Sequence, residues 1–155
     1  MIPKFRVFHN GNMRDVKSID WLHEKVWLAT VYGIPSCEYV SFNEVLLMQS
    51  TGLKDKKGVE IYEGDIVKVI EDSIFGGTYL GVIKFIEHLG VYGFSMYNTN
   101  VLETRKYSKD SIGFNLKTFG NYFTLTEAMH CKNKFEIEVV GNAYANHELM
   151  EEIAE

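Results

Sequence analysis

The sequence predicts a mainly β protein, and two observations support that fold class. Short runs rich in aromatic and β-branched residues recur along the chain, as is typical of strands. Turn-forming Gly and Asn residues separate these runs. Only two prolines are present, and no Ser/Gly/Pro-rich linker divides the 155 residues. The predicted strands are KFRVFH, VWLATVY, EVLLMQ, DIVKVIE, TYLGVIKFIE, VYGFSMY and FEIEVVG.

Two turn signals occur in the first 60 residues. The Asn10-Gly11 pair follows the first predicted strand and suits the positive φ angles of a two-residue hairpin turn. A type I turn favours Asp at its first position and Gly at its fourth, and the segment Asp55–Gly58 has these residues at these positions. We therefore expect a hairpin at the first site and a tight turn at the second.

A further pattern predicts the fold of the C-terminal part. Gly64-Asp65 is a turn signal at the start of a β-branched run, and Gly81-Val82 would pair with that run after a glycine-rich hairpin. A G-D-x-V segment paired with a G-V segment is typical of the opening of small SH3-like barrels, in which the Asp braces the turn. We therefore expect a small SH3-like barrel here.

Two lobes and one short helix complete the expected architecture. Residues 1–60 would form an N-terminal β-rich lobe, and residues 61–155 the SH3-like lobe, with no flexible linker between them. Asn146 can cap a C-terminal helix, and Glu148 would lie in its first turn, where a carboxylate favours the helix dipole. The apolar stripe of this helix would be Leu149, Met150 and Ile153.

Composition limits the classes of function. The chain has 16 Lys and Arg against 21 Asp and Glu, a net charge of −5, so a phosphate backbone is not the expected partner. Cys37 and Cys131 lie far apart without a second ligand at metal-binding spacing, which predicts reduced thiols. No stretch approaches the ~18 apolar residues that a membrane span requires. We expect a cytoplasmic protein.

One segment, Leu47–Lys68, is more specific than composition. In it TGLKDKKG leads directly into EIYEGDIV, and this arrangement resembles the hallmark of the YopX family. The resemblance extends to Lys4–Phe8 followed by Asn10–Met13, and to Val139–Asn142 running into Asn146–Leu149. The family-like residues with an expected structural role are Gly52, Asp55, Gly58, Tyr62, Gly64, Asp65, Gly141 and Asn142.

The resemblance implies a YopX-like, β-rich protein encoded by a phage or prophage and present in the bacterial host cytoplasm. It implies no established biochemical activity. The preferred hypothesis is an accessory protein that is not an enzyme and that binds another protein or copies of itself through edge strands and aromatic patches.

Templates for enzyme chemistry fit the sequence poorly. Gly58 is followed by Val59, whereas a P-loop requires Gly-Lys-Ser/Thr at that point. Glu63 and Asp65 are separated by Gly64, which favours a turn over a catalytic pair of carboxylates. The five histidines show no paired metal-ligand spacing. No catalytic, metal-binding or cofactor-binding residue is predicted, and an enzyme of unknown class ranks as the second alternative.

An aromatic strand supports the first alternative, binding of single-stranded nucleic acid. Tyr92, Phe94 and Tyr97 occur at a spacing similar to that of an RNA-recognition strand, where exposed rings stack on bases. Lys106 and Lys109 would supply phosphate contacts. Alternating aromatic residues in a strand more often fill a core, so the sequence leaves both interpretations open.

Overall fold

The computed structural model describes residues 2–29, 38–71, 78–87, 89–94, 97–98, 118–119, 122–130 and 135–154. These residues form a mainly β protein with a short C-terminal helix, which confirms the predicted fold class. The paired strands within them are antiparallel. None of the helices in the described part of the chain is long and apolar enough to cross a membrane.

The N-terminal half forms a six-stranded sheet. Its strands are β1 (Phe5–His9), β2 (Asn12–Asp20), β3 (Lys25–Leu28), β4 (Glu38–Ser41), β5 (Leu46–Lys54) and β6 (Glu60–Tyr62), in the order β4-β3-β2-β1-β5-β6, and a 3-10 helix, Phe42–Glu44, precedes β5. Asn10 and Gly11 join β1 to β2 with φ angles of 48° and 75°. The hairpin predicted at these two residues is therefore confirmed.

The C-terminal half contains two four-stranded sheets. Its elements are β7 (Asp65–Glu71), β8 (Thr78–Val82), β9 (Lys84–Ile86), β10 (Val91–Phe94), β11 (Tyr97–Asn98), β12 (Thr118–Phe119), β13 (Tyr122–Thr124), α1 (Leu125–His130), β14 (Phe135–Asn142) and α2 (His147–Ala154). The sheet orders are β11-β8-β7-β14 and β12-β13-β10-β9. Ile66 pairs with Val82 and Val67 with Gly81, which confirms the predicted strand pairing.

Two predictions about the C-terminal half remain untested: its closed barrel and its boundary with the N-terminal half. The described strands of the C-terminal half form two open sheets, so the SH3-like barrel stays a prediction. The boundary between residues 60 and 61 falls inside β6, which pairs with β5 of the first sheet. Ile61 of β6 is buried in a core cluster that it shares with Phe94 and Phe135. The two halves therefore share apolar contacts at β6, and the boundary also stays a prediction.

Strand β7 is covered on both faces, which explains its nearly continuous apolar sequence. Val67 and Val69 belong to the larger core cluster, which includes α1. Ile66 packs on the opposite face with Leu149 and Met150 of α2. The C-terminal helix is therefore docked on the sheet through Leu149 and Met150, two of the three residues of the predicted apolar stripe.

The start of α2 lies very close to β14. Asn146 precedes the helix as predicted, and its Oδ1 accepts the backbone N–H of Asn142 at 2.9 Å. A Cβ at Gly141 would lie 2.8 Å from both Asn146 Oδ1 and Leu149 Cδ1. Gly141 follows a shift in the register of β14, after Val139. The absence of a side chain at Gly141 is what lets the helix approach the strand.

Gly64 lies in the turn between β6 and β7, and Gly58, in the turn between β5 and β6, is its matched control. Both have left-handed φ angles, +80° and +83°, so alanine at either position costs about 1–2 kcal/mol in backbone conformation. A Cβ at Gly64 would also lie 2.9 Å from Cε2 of Tyr144, whereas nothing lies within 4 Å at Gly58. We expect Gly64→Ala to lower the free energy of unfolding by about 1 kcal/mol more than Gly58→Ala does. Equal losses in urea unfolding would contradict the close approach of Tyr144.

Candidate functional site

A buried ion pair joins the two halves of the protein. The guanidinium of Arg6, on β1, donates through Nη2 to Oδ1 of Asp65, the first residue of β7. Asp65 is only 1% exposed. Its Oδ2 accepts the backbone N–H of Tyr62 at 2.8 Å, and Nδ2 of Asn142 lies 3.3 Å from Oδ1. The carboxylate therefore has three donors from three different elements, β1, β6 and β14.

The aromatic ring of Tyr62 completes this cluster. The Cζ atom of Arg6 lies 4.4 Å from the centre of the ring, a cation–π distance. Nδ2 of Asn142 also lies 3.4 Å from Sδ of Met48, a buried residue of β5. Because both oxygens of Asp65 already accept hydrogen bonds in the interior, this carboxylate is placed to hold the fold together.

A second carboxylate, that of Asp55, organises the turn between β5 and β6. Its Oδ1 accepts the backbone N–H groups of Lys57 and Val59, both at 2.8 Å, and its Oδ2 accepts that of Val139 in β14 at 3.0 Å. Burial alone would raise the pKa of Asp55, but these three N–H donors outweigh it and hold the pKa below its ordinary 3.8. Gly58 N–H donates to the Asp55 carbonyl at 3.0 Å, as the predicted turn requires.

The candidate site is a groove between the separating ends of β1 and β2. Pairing of these strands extends only to Arg6 and Asp15, whereas β2 continues beside β3 from Val16 to Asp20. The space that opens between them is a groove of about 640 Å³. It is lined by Pro3, Lys4, Phe5, Asp15, Val16, Lys17, Ser18, Ile19, Trp21, Glu60 and Tyr62.

Trp21 forms an exposed aromatic wall of this groove. Its ring contacts Phe5 edge to face, with centroids 6.4 Å apart, and Phe42 with centroids 5.5 Å apart. The side chain nevertheless remains 64% exposed. Two T-shaped contacts therefore fix the orientation of an indole whose remaining surface is free to contact a ligand.

The loop that carries Trp21 is held by its own hydrogen bonds. Oδ1 of Asp20 accepts the backbone N–H groups of Leu22 and His23 at 3.1 Å, and Oδ2 lies 2.7 Å from Nδ1 of His23. The His23 side chain, followed by its backbone N–H, holds the pKa of Asp20 below its ordinary value. The loop ends at Glu24, whose φ is 52°. It presents Leu22 at 85% exposure beside Trp21.

The charges of the groove balance. Lys4 and Glu60 form an ion pair at 2.9 Å, and Oγ of Ser50 donates to Glu60 at 2.6 Å. The Ser50 hydroxyl, and then Lys4, hold the pKa of Glu60 below its ordinary range. Asp15 and Lys17 are exposed and form no ion pair with any described residue. These two side chains are therefore available to charges on a ligand.

Two residues of the aromatic strand predicted to stack on bases, Tyr92 and Phe94, turn their side chains toward the core. Phe94 is 1% exposed and belongs to the main core cluster, so the core covers the ring that was predicted to contact a base. Tyr92 shares that face, packs against the same cluster and contacts Phe85 at 5.2 Å between centroids. Tyr97 pairs with Leu80 through β11 and β8. Lys106 and Lys109 lie outside the described residues.

The residues that resemble the YopX family lie in turns, in strands and beside the buried ion pair. Asp55, Gly58, Gly64 and Asp65 form the two turns on either side of β6, and Gly52 lies in an irregular part of β5 with a φ of 76°. Tyr62 borders both the buried ion pair and the groove. Within the described part of the chain, no group of three or more His, Cys, Asp or Glu side chains could hold a metal ion.

Sequence reasoning missed the exposed residues of the groove on β2 and on the loop after it. Trp21 and Leu22 lie outside every predicted strand, and Asp15 and Lys17 carry no recognisable motif. One available signal was the sequence Asp20-Trp21-Leu22, since Asp favours turns and two large apolar residues in a turn are unusual. That signal indicates an exposed apolar loop, but it gives no information about the separation of β1 from β2.

Comparison with known protein families identifies the family of this chain. The chain belongs to the YopX family, because the model of the YopX protein family matches residues 4–151, nearly its whole length. Among solved structures it is similar to protein EF1440 from Enterococcus faecalis, with 23% identity over 97% of this chain and 99% of that chain and a TM-score of 0.49. No curated protein matches it significantly.

The buried ion pair leads to a stability prediction. Arg6→Ala would leave the Asp65 carboxylate buried without its cation, a change that typically costs about 3–5 kcal/mol. Lys4→Ala is a matched control, since it removes a lysine of the same strand end whose ion pair is exposed. We expect a large fall in the urea midpoint for Arg6→Ala and little change for Lys4→Ala. Similar midpoints for the two variants would show that the ion pair does not stabilise the junction.

The lowered pKa of Asp55 leads to a prediction about pH. Its charged form is favoured in the folded protein, so its contribution to stability is complete above the unfolded pKa of 3.8 and is lost as the pH falls through the lower folded value. We expect Asp55→Asn to reduce the free energy of unfolding at pH 7, and the difference from the unmodified protein to shrink in strong acid. Denaturant titrations of the two proteins at pH 7 and in strong acid measure this difference in the free energy of unfolding. A difference that does not change with pH would exclude ionisation of Asp55 as the cause.

Proposed function

We propose that this YopX family member is a non-catalytic module that binds a protein partner, or another copy of itself, through the groove between β1 and β2. The observation that supports this most directly is the exposed Trp21, held in place beside Leu22 at the groove wall. Tryptophan is enriched among the residues that dominate binding energy at protein interfaces. A fixed side chain also loses little conformational entropy when a partner covers it.

The surroundings of Trp21 suit an interface. Leu22 and Ile2 are both more than four-fifths exposed, and Pro3 joins Ile2 to the groove lining. Around them lie charged side chains, including Asp15 and Lys17. An apolar centre with a polar rim is the usual composition of a protein–protein interface. Exposed apolar residues grouped in this way favour binding over a purely structural role.

The biological setting is part of the same proposal. The resemblance to YopX proteins supports a phage or prophage accessory protein that acts in the cytoplasm of the bacterial host. Binding without catalysis agrees with the surroundings of two buried carboxylates, Asp55 and Asp65. Both accept hydrogen bonds from the backbone and so have a structural role. Binding of single-stranded nucleic acid receives less support, since Phe94 is buried and the net charge is −5.

Partner capture provides the test of this proposal. The immobilised protein would be exposed to extract of the host bacterium, and a captured protein would be purified and titrated against the unmodified protein and Trp21→Ala. We expect Trp21→Ala to weaken binding about tenfold or more, because it removes the central apolar contact. Phe85→Ala is a matched control: Phe85 is also an exposed ring in a T-shaped contact, but it lies outside the groove.

Thermal unfolding of each variant distinguishes lost binding from lost folding. The proposal is supported if Trp21→Ala binds weakly while it remains folded, and if Phe85→Ala binds normally. If a captured protein bound Trp21→Ala and the unmodified protein with equal affinity, its binding interface would lie elsewhere. Failure to detect either a partner or self-association at micromolar concentration would contradict the proposed function.

A further inference from the structure

One wall of the groove is an open strand edge. Residues Val16–Asp20 pair with β3 on one side, and within the described residues no strand pairs with them on the other. The groove lining includes Val16, Lys17, Ser18 and Ile19, so the groove runs along this edge. The opposite wall is formed by Pro3–Phe5. An unpaired strand edge presents backbone N–H and C=O groups at the spacing that another strand requires.

We infer that the groove receives an extended segment of a partner protein, which pairs as an added strand with Val16–Asp20. This inference rests on the proposed function and specifies the form of the partner. Addition of a strand to an open edge is a recurrent mode of peptide recognition, in which the backbone supplies affinity and the side chains supply specificity. The groove runs along the edge, so an extended chain fits its shape.

The start of β1 is held back from this edge. The carbonyl of Lys4 accepts the N–H of Ser50 at 2.8 Å, and Phe5 pairs with Gln49 of β5. The Lys4 ammonium also reaches Glu60 of β6. These contacts attach the first residues of β1 to β5 and β6. The space beside Val16–Asp20 is consequently kept open without any rearrangement of the sheet.

The side chains along the groove define the chemistry of the added segment. Trp21 would contact an apolar side chain, aromatic or aliphatic. Asp15 pairs with Arg6 of β1 but also lines the groove, where it would attract a basic residue of the segment. Lys17 lies on the open edge itself and would face an acidic residue, since opposite charges across a strand pair are favourable. The remaining groove charges, on Lys4 and Glu60, already neutralise each other. The expected segment is therefore extended and nearly neutral, with one apolar anchor, one basic residue and one acidic residue.

Short peptides test this inference directly. The 155-residue protein would be screened against a library of unstructured peptides, and the binders would be measured by fluorescence anisotropy. We expect enriched peptides to contain the apolar anchor with both charges, and to bind Trp21→Ala about tenfold more weakly. Hydrogen exchange should show slower exchange of amides in Val16–Asp20 when a peptide is bound, because strand pairing protects backbone N–H groups.

A charge exchange tests the recognition of Lys17. Lys17→Glu should weaken an enriched peptide about tenfold, and replacement of the peptide's acidic residue by lysine should restore binding to this variant. Lys84→Glu is the matched control, because it makes the same charge change at an exposed strand residue outside the groove. Loss of binding without restoration by the exchanged peptide would overturn the assigned charge contact.

The outcomes separate this inference from the proposed function. If a partner requires Trp21 but no amide in Val16–Asp20 is protected, strand addition is wrong and the binding function stands. If the chain dimerises through Trp21 in sedimentation experiments and no peptide binds, the groove receives a second copy and the inference is overturned. If neither peptides nor captured proteins depend on Trp21, both the inference and the proposed function fail.

Discussion

The contact between Arg6 and Asp65 is the constraint on which the arrangement of the two halves depends. A charged carboxylate in the interior is costly unless it is paired and hydrogen-bonded, and Asp65 is 1% exposed. Its donors come from β1, from the backbone at Tyr62 and from Asn142 at the end of β14. A displacement of the first sheet relative to β7 would leave that charge unsatisfied. The ion pair therefore fixes the position of β1 as well as the orientation of the turn before β7.

The position of β1 in turn determines the groove. Its first residues follow β5 and β6, through the Lys4–Ser50 hydrogen bond and the Lys4–Glu60 ion pair. Strand β2 instead follows β3 beyond Val16, where the register of that pair shifts. The sheet separates at this point, where each strand keeps its partners on its far side. A binding groove thus results from the same contacts that join the two halves.

The aromatic residues divide between two roles that the sequence does not distinguish. Phe94 and Tyr92 alternate along β10, and the face that they share packs on the core. Trp21 lies in a loop with no strand-like pattern, yet the fold leaves it exposed beside a groove. Periodicity indicates that residues share a face of a strand, but it does not indicate whether that face meets a core or a partner. The neighbouring elements determine that.

The sequence by itself determined several local features: strands β1, β5, β7 and β14, the Asn10-Gly11 hairpin, and the apolar positions Leu149 and Met150 of α2. These depend on φ preferences and on the spacing of side chains within a few residues, both of which are written in adjacent positions. The tertiary structure alone decided that Asp65 pairs with a residue 59 positions away, and that β1 and β2 separate beside Trp21. Such features depend on contacts between distant segments, whose energies no local pattern records.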